Sequence, residues 1–215
     1  MIEVSIATGL PQRNGERGYT LVALLAFMSL LAMFALAAMP RAQQQAQRER
    51  EKEAMFRGQQ VSDAIALYYA YRGRQGPNSL PTTMDQLLEG VQVPGRTKKL
   101  QILRVEAAHD PLSPDGEWRR ISPTSTDIRS YVQSLMEYSG GVPPVPRGEF
   151  SAFASLIPQM TSVLDTESST SSSNSSSSDA EGPFIGVASR STRESVINYY
   201  GIDHHDGWIF TPMFR

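Results

Sequence analysis

The sequence predicts an α+β chain in which a long N-terminal helix, one half transmembrane and the other amphipathic, packs on a small antiparallel sheet. Three observations predict it. From Tyr19 to Met39 the chain carries no charge, and the run stops at Pro40. From Met55 to Arg72 apolar residues recur at helical spacing. Further on, segments around Trp118, Phe184 and Trp208 combine aromatic and β-branched residues between turn formers. Three such strands are the minimum for a sheet with one apolar face.

The first run brings only the hydroxyls of Tyr19, Thr20 and Ser29 into an otherwise apolar stretch. At ~1.5 Å per residue it spans about 31 Å, the thickness of a bilayer's hydrocarbon core. It is long for the apolar region of a cleaved secretory signal. Ala35-Leu36-Ala37 and Ala37-Ala38-Met39 only weakly imitate a small-x-small cleavage site. A plain signal anchor is a further reading of the same run.

Arg41 to Ala54 contains no Gly, Pro or β-branched residue, so it continues as helix. Glu49/Lys52 and Glu53/Arg57 pair favourably at spacings of three and four. With almost no apolar stripe, this part is expected to project free of the domain. Val61, Ile65, Tyr68 and Tyr69, flanked by Ala64, Leu67 and Tyr71, then form a stripe facing a core. The tyrosines read as core and rim packing rather than an aromatic binding surface. Gly58 costs about 1 kcal/mol relative to Ala inside a helix, so it marks a bend or close packing. Gly73 and Gly76-Pro77 end the helix.

Leu80 to Gly90 reads as a short helix, with Pro81 early, Thr82 or Thr83 as cap and Gly90 as stop. Leu100 to Val105 fits a helical turn or a strand. Asp110-Pro111 and Asp115-Gly116 impose a turn before a strand beginning at Trp118. Asp127 to Tyr138 has helical spacing and is ended by Gly140-Gly141 and Pro143-Pro144-Val145-Pro146. Glu167 to Asp179 is nearly all serine and cannot bury enough apolar area to offset its ordering entropy, so it reads as a mobile loop. Phe184 to Ala188 reads as a strand, Ser191 to Tyr200 as a short helix or extended loop, and Gly207 to Thr211 as a terminal strand.

A net charge of −2 supplies no basic field for nucleic acid, and the absence of cysteine excludes disulfides and thiolate chemistry. There is no Gly-x-Ser-x-Gly elbow and no phosphate loop, and the carboxylates are scattered. No catalytic residue is named, and no enzymatic role is expected. Asp203-His204-His205-Asp206 is the one cluster with metal-ligating residue types, but adjacent strand residues point to opposite faces. His109 is distant in sequence, so the cluster reads as a turn before the last strand. No cofactor is expected. Calcium is the residual possibility, through Asp179 and Glu181 with Asp203 or Asp206, without EF-hand spacing.

A charged leader ends at Gly18, which is followed by Tyr19-Thr20-Leu21-Val22, the apolar run, and Pro40 as the twenty-second residue after the glycine. This set resembles the prepilin-type cleavage signal of type IV pilins and type II secretion pseudopilins. The Pro81-Thr82-Thr83 helix, the Asp110-Pro111 turn with its aromatic strand, and the terminal Trp208-Ile209-Phe210 strand resemble the major-pseudopilin branch more loosely.

The resemblance implies a pilin-like fold and cleavage after Gly18, leaving a Tyr19 N-terminus open to methylation. It divides the chain into a leader (1–18), a transmembrane helix (19–40), a pilin-like domain (41–165), a serine-rich loop (166–180) and a C-terminal block (181–215). It implies a structural subunit of a pseudopilus or type IV pilus-like fibre acting in protein secretion. The implied partners are a prepilin peptidase, sibling subunits, an inner-membrane assembly platform and membrane lipid, with no nucleic acid.

Ala23 stands where the family carries a glutamate five residues after the glycine, which favours a minor subunit. Basic residues are denser after the apolar run (Arg41, Arg48, Arg50, Lys52, Arg57) than before it (Arg13, Arg17), which by the positive-inside count would keep the domain cytoplasmic. The resemblance implies the reverse: a single-pass inner-membrane protein with its domain in the periplasm. The alternative is a signal-anchored periplasmic interaction protein outside any fibre, distinguished by processing at Gly18.

Overall fold

A computed structural model describes residues 16–73, 76–153 and 182–214, without the side chains of residues 16–18 and 36–42. Most of the leader and the whole serine-rich segment 166–180 lie outside the described residues. Two compact units divide the chain, Met1–Ala46 and Gln47–Arg215. Helix α1, Glu16–Tyr71, contributes residues to both.

The structure corrects the expected fold class: the chain is α+β with small antiparallel sheets, but among the described residues its N-terminal helix has no transmembrane half. Among the described residues, no helix is long and apolar enough to cross a membrane. The described apolar side chains run from Tyr19 to Ala35, and those of residues 36–42 lie outside the described residues. From Gln43 onward the side chains are mostly glutamine, arginine, lysine and glutamate. Within the first unit the side chains of Tyr19–Ala35 are all exposed, and Ser29 Oγ donates back to the Leu25 carbonyl at 2.7 Å.

In the second unit, α1 buries a stripe at steps of three and four: Glu51, Ala54, Gly58, Val61, Ile65, Tyr68 and Tyr69. Fully burying a residue such as Val61 or Ile65 contributes about 1.5–3 kcal/mol. Gly58 is a close-packing position. A Cβ there would overlap the Phe210 ring, so the glycine lets the last strand sit directly on the helix. Tyr69 stacks on Phe150 at 5.1 Å and meets Phe153 edge-on at 5.5 Å. Tyr68 donates to Gln86 Oε1 at 3.2 Å and carries the Arg72 guanidinium over its ring, while Tyr71 is exposed.

The expected single sheet is instead two. Strands β1 (Arg119–Ile121), β2 (Gly186–Ala188) and β5 (Ile209–Phe210) form an antiparallel sheet in the order β1-β2-β5, with Arg120 opposite Val187 and Val187 opposite Phe210. The central strand β2 is buried throughout. Strands β3 (Glu194–Tyr199) and β4 (Ile202–His204) form a separate hairpin. Thus Ser191–Tyr200, read as short helix or loop, contains a strand. Tyr200 (φ 53°) and Gly201 (φ 82°) make the two-residue turn, both with the positive φ that a type I′ hairpin requires.

Helix α2 is Met84–Glu89 and begins later than Leu80-Pro81 suggested. Gln86 explains the start: its Oε1 accepts from the Thr82 N–H at 3.1 Å and its amide donates to Thr82 Oγ1 at 2.9 Å. Helix α3, Thr126–Tyr138, is capped by Ser125, whose Oγ accepts from the Asp127 N–H. It buries Ile128, Tyr131 and Val132. Leu100 makes an isolated bridge to Val91, and a 3-10 turn follows at Val105–Ala108. Arg119 is buried in β1, where it pairs with Asp127 and donates to the Asp206 carbonyl at 2.8 Å.

Candidate functional site

Two features of the chain stand apart from ordinary core packing. The first is the segment after the expected processing junction. Tyr19 is 78 % exposed, and Leu21, Val22, Leu24, Leu25, Phe27 and Phe34 are all more than half exposed. The exposure goes round the helix rather than leaving one stripe. A helix that is apolar all round belongs in an apolar environment, because each such side chain covered gains about 1.5–3 kcal/mol. The side chains of residues 16–18 are outside the described residues, so of the expected processing pair only Tyr19 is seen in full. Ala23 is exposed among its apolar neighbours.

The second feature is a buried polar relay within the Gln47–Arg215 unit. Glu51 has no exposed surface. Its Oε1 accepts from the Val196 N–H at 2.9 Å, from Gln47 Nε2 at 2.8 Å and faces His205 Nε2 at 3.0 Å. Its Oε2 accepts from the Ile197 N–H at 2.8 Å. His205 is also buried, and its Nδ1 lies 3.2 Å from Ser191 Oγ. The Ser191 N–H donates to Ser189 Oγ, which donates to Asp110 Oδ2 at 2.7 Å. Trp208 closes the apolar side, edge-on to the His205 ring at 5.1 Å.

Burial alone would raise the Glu51 carboxyl. The hydrogen bonds from Val196, His205, Ile197 and Gln47 outweigh it and hold the carboxyl below its usual range. At the far end burial wins: Asp110 is pushed up despite its bonds from Ser189 and the Leu112 N–H.

Glu51, His205 and Ser191 are the residue types of a nucleophilic triad. Ser191 is only 7 % exposed, however, so its hydroxyl is not presented to a substrate. The arrangement holds one carboxylate in place with four donors. It also corrects the expectation that the polar part of α1 projects free, since Gln47 donates to the Glu194 carbonyl, Glu51 accepts from the Val196 and Ile197 N–H groups and Arg57 donates to the His109 carbonyl. Scattered carboxylates hid this pairing: Glu51 and His205 are 154 positions apart. One signal was available, because Glu51 continues the phase of the stripe through Ala54, Gly58 and Val61.

The Asp203–Asp206 cluster is split between the end of β4 and a 3-10 turn, His205–Gly207. His205 turns inward to Glu51, while His204 stays at the surface and pairs with Asp203 at 2.9 Å. That hydrogen bond raises His204 and lowers Asp203. Among the described residues no group of three or more His, Asp or Glu side chains is placed to hold a metal ion. The calcium candidates Asp179 and Glu181 lie outside the described residues. His109 is engaged through its carbonyl, which accepts from Arg57 at 3.3 Å. Against known proteins, the chain matches no family model, no curated protein and no solved structure.

Proposed function

We propose that this chain is a structural, prepilin-processed minor subunit of a type II secretion pseudopilus or a type IV pilus-like fibre. The observation that carries the reading is the junction Gly18-Tyr19 followed at once by an apolar helical segment exposed on all sides. Sibling subunits supply the cover that this segment lacks in the isolated chain. A prepilin peptidase removes the leader, an inner-membrane assembly platform receives the product, and the C-terminal unit works in the periplasm. The role is assembly rather than catalysis, and no cofactor takes part.

Ala23 supports the minor place. Without a carboxylate there, the chain does not neutralise a neighbour's buried terminal amine, and an uncompensated buried charge costs several kcal/mol. In a homopolymer that cost recurs at every contact, whereas a rare insert or tip incurs it once. Expressed with a prepilin peptidase and a glutamate-bearing major subunit, the chain should be found in sheared fibres by immunoblot. Expressed with the peptidase alone, it should give none. Absence from fibres in the presence of siblings contradicts the reading.

A further inference from the structure

The hairpin β3–β4 contains a site that strand pairing does not explain. Consecutive N–H groups of a regular strand point to opposite sides. Here those of Val196 and Ile197 converge on one carboxylate, at 2.9 and 2.8 Å. The pairing with β4 is irregular between Glu194 and Tyr199, and such a bulge re-aims the backbone. His205 Nε2 at 3.0 Å and Gln47 Nε2 at 2.8 Å complete a set of four nitrogens around the Glu51 carboxylate. Glu51 is wholly buried, and the hairpin belongs to neither edge of the β1-β2-β5 sheet.

We propose that the bulged hairpin is a carboxylate-binding cradle whose resident ligand is Glu51, and that filling this cradle docks the C-terminal hairpin on the Gln47–Tyr71 part of α1. Two of the four donors are main-chain groups and the third is an imidazole, so the cradle recognises a carboxylate as such rather than a glutamate side chain. A small free carboxylate such as formate fits the same donors once the Glu51 side chain is removed. The inference stands apart from the fibre reading, since it concerns only how one unit holds its hairpin.

The test is amide hydrogen exchange on the purified full-length chain, comparing wild type, Glu51→Ala and Glu51→Gln. In Glu51→Ala, protection of the Val196 and Ile197 amides should fall roughly tenfold or more, as for loss of charge-assisted bonds. Amides of β1, β2 and α3 should lose less. Sodium formate should restore at least part of the lost protection, and sodium chloride at equal ionic strength should not. Glu51→Gln, which keeps the shape and one acceptor oxygen, should show a smaller loss at the same two amides. Unchanged protection, loss spread evenly over β1, β2 and α3, equal rescue by chloride, or failure of both variants to fold would each overturn the proposal.

Discussion

Replacing Gly58 by alanine sets two effects of opposite sign against each other. Alanine is the better helix former by about 1 kcal/mol. The new methyl, however, would overlap the Phe210 ring at its root carbon as well as its edge. Phe210 has little room to give. It is 2 % exposed and is flanked by Trp118 at 5.8 Å and Tyr199 at 5.6 Å. Forcing a methyl into such packing costs about 1–3 kcal/mol. It also removes the close seat of β5 on the helix, so packing should exceed propensity by roughly 1–2 kcal/mol.

At about 2–4 °C per kcal/mol for a chain of this size, Gly58→Ala should lower Tm by roughly 2–8 °C. Differential scanning of wild type and variant reads this directly. Phe210→Leu on the Gly58→Ala background should cost less than on the wild type, by about 0.5 kcal/mol or more of coupling. An unchanged or raised Tm for Gly58→Ala would refute the claim that β5 packs on this turn of α1.

Further outcomes follow from other contacts. Glu51→Gln should destabilise the chain by about 1 kcal/mol near neutral pH, because the charge-assisted bonds to the carboxylate weaken while its shape and one acceptor oxygen remain. The folded carboxyl is lowered relative to its ordinary 4.5, so its contribution is complete above that value and is lost as pH falls through the lower, folded one. Urea unfolding from pH 3 to 8 should therefore show the two proteins converging in acid. Asp110 is raised by burial, so its ionisation weakens the fold above its ordinary 3.8. Asp110→Asn, which keeps an acceptor for the Leu112 N–H, should therefore cost less than about 1 kcal/mol near neutral pH by the same unfolding assay. Asp127→Ala leaves the buried Arg119 without its ion-pair partner and should cost about 3 kcal/mol or more, whereas a well-packed apolar pair at both positions should recover much of it.

The helices of the second unit were legible where apolar spacing was regular. Ile128, Tyr131 and Val132 mark α3, and Val61, Ile65 and Tyr68 mark the buried side of α1. The Asp115-Gly116 turn and Trp118 located β1, and Trp208-Ile209-Phe210 located β5. Strand β3 was hidden because its bulge breaks alternation, putting Val196 and Ile197 side by side. The relay was hidden for a different reason. Its members come from α1, the Asp110 turn and the last thirty residues, and each alone reads as an ordinary surface polar residue. Only the phase of Glu51 within the buried stripe betrayed it. The membrane-crossing reading of the N-terminal helix rested on an apolar run that continues to Met39; the described side chains stop at Ala35, and among them no helix is long and apolar enough to cross a membrane.

Whether this chain is a prepilin-processed subunit is decided by the N-terminus of the mature protein. Intact mass and N-terminal peptide spectra should be recorded from the full-length chain expressed with a prepilin peptidase. A prepilin-processed subunit should begin at Tyr19, with or without one added methyl group, and no such product should form when the peptidase is absent. A chain that still begins at Met1 in the presence of active peptidase, or one cut after Ala37 or Ala38, would contradict it.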